Sequence, residues 1–274
     1  MQEISLPWTI WLTDWRFEPV PIAAAIFAVA FYYLAARRLG QRNPHHRLTV
    51  GQQAAFWGAV GLTLFTILSP LDTIGELYSF TVHMVQHLLM IIPIPILLLL
   101  GVPEWLAAPL FRLRPVDWVM RVLTQPIIAT VLFNLVFMGW HIPRLYELSL
   151  TNYTAHELEH LMFLTTALFS WWPIMGPRYQ LRTPFLKIAY VFVQKLPPTI
   201  LGAILVFAEA PLYATYANQT ARLWGWTPLL DQQIGGVVMW IPAGIVYLII
   251  LSVVFFRWIG NEEAEGMEQQ GTFA

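Results

Sequence analysis

The stretch HMVQHLLM, residues 83–90, sets two histidines four apart inside a run, 77–100, that is otherwise almost wholly apolar. A helix crossing a hydrocarbon layer about 30 Å thick needs roughly 20 such residues. Reading outward, six more runs have this character: 19–39, 52–69, 126–141, 156–175, 187–208 and 233–256. The fourth is short unless it begins within the turn at Pro126. The composition agrees. Apolar residues make up 57% of the chain, charged residues 11%, and the mean hydropathy is +0.59, whereas soluble domains carry about 25% charge. The expectation is an all-α integral membrane bundle of seven transmembrane helices, forming one domain over residues 1–274.

Composition also excludes function classes. The formal net charge is −1, and no basic block suggests a nucleic-acid partner. The chain has no cysteine, which removes disulfides and thiolate metal sites and leaves His, Met and carboxylates as metal ligands. No nucleophile with a paired base, P-loop or glycine-rich phosphate turn is visible, so catalysis is not indicated. The N-terminal MQEISLPWTIWLTDWRFEPV lacks the layout of a secretory signal peptide. Its three tryptophans suggest an interfacial segment over 1–18.

Basic residues in short loops set orientation. Arg37, Arg38, Arg42, Arg47, Arg112, Arg114, Arg121, Arg178, Arg182, Lys187 and Arg257 fall on one side, and Arg16, Arg144 and Arg222 on the other. This places the N-terminus outside and the C-terminal tail, 257–274, in the cytoplasm. Lys195 stands inside the sixth run, either snorkelling to the inner surface or paired with an acid in the bundle.

The topology puts five histidines at the outer ends of consecutive helices: His83 and His87, His141, and the pair in HELEH, His156 and His160. His45 and His46 fall in the first basic loop. Residues i and i+4 share one helical face about 6 Å apart along the axis, close enough to ligate one metal ion or two adjacent ones. Ionisable groups within spans are expensive and by default mark function. The alternative is a set of interfacial imidazoles wetted by headgroups, contributing little to packing. Imidazole alone does not choose among copper, zinc, iron and haem. Bound metal should be lost as imidazoles protonate near pH 6.5 and below (a value of about 6.5 is usual for histidine).

Other polar residues gather at the same level. Thr154 to Glu157 matches the capping box. Glu157, Asp231, Gln232 and Met239 are candidate supports for the imidazoles, while Met84 and Met90 point away and should pack.

Three blocks carry a family resemblance: HMVQHLLM, WHIPRLYELSLTNYTAHELEHLMFLTTALFSWWPI (140–174) and DQQIGGVVMW (231–240). In order and spacing, over nearly the whole chain, they resemble the polytopic CtaG family, seven-span assembly factors for haem–copper cytochrome c oxidases of the caa-type. The resemblance implies a bacterial plasma-membrane protein that helps form the oxidase copper centre. It implies a site at His83, His87, His141, His156 and His160 with an acidic motif at Asp231. Its expected partners are oxidase subunits and a copper-donating chaperone. An integral-membrane metalloenzyme, a haem-delivery protein and a non-metal scaffold remain as alternatives.

Overall fold

The computed structural model describes residues 4–271, with side chains described from residue 6 to 260. The chain is helical apart from one short parallel pairing, β1 (Ile4–Ser5) with β2 (Ala221–Arg222). In order come α1 (Ile10–Thr13), α2 (Pro19–Arg42), α3 (Val50–Leu68), α4 (Pro70–Leu77), α5 (Phe80–Ile91), α6 (Pro93–Gly101) and α7 (Glu104–Ala107). A 3₁₀ turn at Leu110–Arg112 leads to α8 (Arg114–Leu123), α9 (Pro126–Trp140), α10 (Pro143–Thr151) and α11 (Tyr153–Met175). The chain closes with α12 (Pro184–Val206), α13 (Ala214–Asn218) and α14 (Pro228–Gly271). The last three residues of the expected tail lie outside the described residues.

Four helical segments are long and apolar enough to cross a membrane: Pro19–Arg42, Phe80–Gly101, Pro184–Val206 and Pro228–Gly260. Two bent pairs, α3 with α4 at 45° and α8 with α9 at 71°, raise the number to six. The protein is therefore a helical membrane protein, but length and composition do not deliver the expected seven. Two helices fall short by themselves: α9 counts only together with α8, and α11 is the one left out. At 15 residues, α9 spans only about 22 Å. The 23-residue α11 is long enough, but its first two turns carry His156, Glu157, Glu159 and His160.

Proline sets much of this segmentation. It occupies the first turn of α2, α4, α6, α8, α9, α10 and α12, where its missing N–H costs no helical bond. Pro93 and Pro95 break the run 77–100 at Ile92, which takes φ −116° and ψ −78°, because neither can donate to the preceding turn. Pro173, expected at a helix end, lies inside α11.

Packing centres on α14 against α12 and α5, on α11 against α9 and α6, and on α3 against α6. A Cβ on Gly236 would sit 3.0 Å from the Gly202 carbonyl and 2.9 Å from Leu205 Cβ, so α14 and α12 meet backbone to backbone. By contrast α2 is peripheral, with 6% of its apolar window buried. The N-terminal segment folds over the histidine-bearing end. Leu6, Ile10 and Trp11 pack on Ile74, Val82 and Leu223, while Trp8 and Phe17 remain exposed.

Candidate metal centre

The five histidines meet inside one end of the bundle. His83 and His87 come from α5, His156 and His160 from α11, and His141 from the C-cap of α9. Ring centroids lie 4.1 Å apart for His83–His87, 4.2 Å for His156–His160, 5.5 Å for His87–His160 and 6.2 Å for His87–His141. All five are buried, none more than 4% exposed. They are core residues, not wetted interfacial ones.

Each helical pair turns its Nε2 atoms toward one another, at 2.8 Å for His83 and His87 and 2.9 Å for His156 and His160. Two imidazoles bound to one ion at about 2.0–2.1 Å would place their nitrogens about 3 Å apart. Two triads have ligand atoms within 4.8 Å of one another: His83, His87, His160, and Asp72, His156, His160.

Three of the Nδ1 atoms, those of His83, His141 and His156, are held by protein groups, while the buried Nδ1 of His87 has no partner. Tyr216 donates to the Gly75 carbonyl at 2.6 Å and receives His83 Nδ1 at 2.9 Å. The Tyr146 hydroxyl lies 3.1 Å from the same nitrogen. His141 Nδ1 donates to the Phe137 carbonyl at 2.7 Å, and its buried Nε2 has no partner. His156 Nδ1 lies 3.5 Å from Glu76 Oε1. A proton fixed on Nδ1 leaves the Nε2 lone pair free, which is the arrangement that orients histidine ligands around metals.

Carboxylates surround the rings. Asp72 and Glu76 stand i, i+4 on α4, and Arg16 reaches both, at 3.2 and 3.6 Å. Asp72 also accepts from Gln86 Nε2 at 2.7 Å. Glu159 is fully buried with Oε1 3.9 Å from His87 Nε2, and neither of its oxygens has a donor in hydrogen-bond geometry. A buried carboxylate beside a lone-pair cluster is costly unless a cation joins them.

The arrangement corrects several sequence expectations. The cap of α11 is Asn152, accepting from Ala155 N at 3.0 Å, and not Thr154. Glu157 is half-buried and lines a groove between α2, α3 and α11 together with His160. Asp231 touches no imidazole. It caps α5, accepting from Ser79 Oγ, Phe80 N and Thr81 N at 2.9, 2.7 and 3.1 Å. Gln232 Oε1 accepts from Leu212 N at 2.6 Å and ties down the loop after α12. Met239 does approach the cluster, lining a small cavity of about 20 Å³ with His87, Met84 and Lys195. Lys195 does not snorkel: its Nζ donates to the Met239 carbonyl at 3.2 Å and sits over the Tyr247 ring.

A sequence profile of the cytochrome c oxidase caa3 assembly factor family matches residues 30–261, a region holding all five histidines and Asp231. The chain belongs to this family. Uncharacterized proteins of Mycobacterium bovis and Mycobacterium tuberculosis are each 26% identical to it over 273 residues. One of Mycobacterium leprae is 27% identical over 270 residues. These alignments cover 90% of this chain but 40% of each relative, so the chain spans about two-fifths of their length. No solved structure matches it.

For this assembly-factor chain, sequence reading passed over Asp72, Glu76, Tyr146 and Tyr216. The acids had a signal: DTIGE repeats the i, i+4 spacing of the histidine pairs just ahead of α5. The tyrosines had none, because α10 and α13 reach the cluster only through tertiary packing.

Proposed function

We propose that the protein takes part in oxidase assembly by holding copper, as cargo for the client's copper centre, among His83, His87, His141, His156 and His160. The observation that supports this reading most is the convergence of Nε2 atoms, with the Nδ1 atoms of His83, His141 and His156 facing protein groups. The donor set is imidazole and carboxylate without sulfur, which suits copper but also zinc and iron, and the haem–copper client of the family favours copper. Ring-to-ring contacts of 4.1–4.2 Å within each pair suit an ion better than a macrocycle. Asp72, Glu76 and Glu159 would compensate the ion's charge. Met239 stands beside His87 as a further support, and the role is a carrier's rather than a catalyst's.

The same reading includes seven crossings, with α11 as the crossing whose polar start is sheltered in the bundle. It places the N-terminus and the histidine end outside and the basic loops in the cytoplasm. Oxidase subunits would receive the metal, and a copper-donating chaperone would supply it.

Elemental analysis of protein purified from copper-supplemented cells tests this reading. We expect bound copper in the wild type and a loss of 10-fold or more, on the order seen when metal-site shells are altered, in His83→Gln/His87→Gln and His156→Gln/His160→Gln. Glutamine keeps most of the buried volume, and size-exclusion profiles check the fold. Wild-type copper content in both double variants would remove the assignment, and a Soret band in the purified protein would redirect it to haem.

A further inference from the structure

At the end of the bundle opposite the histidines, a cavity of about 380 Å³ opens between α6, the last turn of α11, the start of α12 and α14. Arg182, Lys187 and Arg257 line it, and among the residues whose side chains are described no carboxylate does. Lys187 Nζ donates only to neutral acceptors, the Ile174 carbonyl and Gln180 Oε1, both at 3.1 Å. Among the described residues, Arg182 and Arg257 make no hydrogen bond or ion pair. The first turn of α12 opens on the same space: Pro184 lines it, and the N-cap Thr183 makes no side-chain cap bond. Unfilled amides there add a positive dipole end. The remaining walls are apolar, from Leu100 and Met175 to Ile249, Ile250 and Val253, with Trp258 at the rim.

We propose that this cavity binds one anionic phospholipid, its phosphate held by Arg182, Lys187 and Arg257 and an acyl chain laid along Ile249, Ile250 and Val253. Uncompensated cations beside an apolar wall at the end of membrane-crossing helices match a charged headgroup joined to a hydrocarbon chain. The volume suits the headgroup and the first part of one chain, within the range of small-molecule sites, about 300–1,000 Å³, with the rest of the lipid lying outside the cavity. It is too small for a peptide helix, which takes about 120 Å³ per residue at its usual diameter and rise.

The full-length protein in detergent, titrated with fluorescent phosphatidylglycerol or phosphatidylcholine, tests the site. Phosphatidylglycerol should bind saturably and phosphatidylcholine should not. Arg182→Gln/Arg257→Gln should weaken binding about 30-fold, about fivefold for each cation near a lipid headgroup. Arg112→Gln/Arg114→Gln, at the same end but outside the cavity, should leave it unchanged. Val253→Trp should block the chain while retaining every charge, and should also abolish binding. Equal losses in both arginine pairs would mean diffuse attraction and overturn the site. So would full competition by millimolar inorganic phosphate together with wild-type binding in Val253→Trp, which would mark a free-phosphate site. Wild-type affinity in the Arg182→Gln/Arg257→Gln protein overturns it outright.

Discussion

His87 and His160 are 2% and 4% exposed, so cutting either back to alanine opens a hole in the bundle as well as removing a nitrogen. Glutamine is therefore the cleaner probe of metal binding. The residue with the most concentrated structural role is Asp231, whose carboxylate takes three hydrogen bonds from the first turn of α5. Thr81 Oγ1 returns one to the Asp231 carbonyl at 2.8 Å. Hydrogen bonds to a charged group contribute about 1.5–3 kcal/mol. Asp231→Ala should lower stability by about 2–3 kcal/mol on that scale, read from thermal denaturation in detergent, and what remains folded at low temperature should keep its metal. Unchanged melting with lost metal would make Asp231 a ligand. Glu159 is the converse case: its buried oxygens find no donor in hydrogen-bond geometry, and the proposed cation would answer that need.

Among the elements, α4 supplies two of the three acids beside the cluster, Asp72 and Glu76. It bends 45° away from α3 at Ser69, whose hydroxyl accepts from Leu71 N, and Pro70 follows at the first helical position. It packs on α5 so closely that a Cβ on Gly75 would lie 2.9 Å from His83 Cα and 3.1 Å from its backbone nitrogen. Those atoms belong to a helix backbone and cannot step aside. Gly75→Ala should cost about 1–3 kcal/mol, as overpacking does, and should shift Asp72 and Glu76 from the imidazoles. A melting curve and metal content measured on the same preparation check it; a variant matching wild type in both would show that α4 has room to move. Capping follows its own local chemistry. The full capping box belongs to α3, between Thr49 and Gln52, while α11 starts two residues earlier than its Thr-x-x-Glu pattern suggests, because Asn152 is the better-placed acceptor.

On the scale of the whole molecule, the histidine centre and the Arg182, Lys187 and Arg257 group occupy opposite ends of the same helices, since α5 and α11 begin at the centre while α6 and α11 end beside Arg182 and Lys187. The proposed topology puts a membrane between them. The cysteine-free chain suits single-cysteine labelling. With an impermeant thiol reagent on intact cells, Asn218→Cys should label and Asn43→Cys should label only after the membrane is opened, because loops rich in arginine resist translocation. The reverse pattern would turn the histidine end inward and remove the basis for an outward-facing carrier. The peripheral α2, with its groove running to His160, is the helix whose position the rest of the bundle constrains least.

The apolar runs by themselves determined the class, a helical membrane protein, because transfer of a segment into lipid depends on its own length and composition. The i, i+4 spacing together with the order of the runs likewise put each histidine pair on one helical face at the same end, since helical period is a local property. Their degree of burial was not legible, nor were their partners. Tyr216 lies 133 residues from His83 and Asp231 lies 150 from Thr81, and contacts over such separations exist only once α13 and α14 have packed on α5. Asp72 and Glu76 read as linker until α4 forms, and Lys195 reads as a surface-seeking cation until α14 offers it the Met239 carbonyl. Local hydrophobicity selects the helices, whereas the identity of the groups that surround each imidazole is set by packing between helices, which no local pattern encodes.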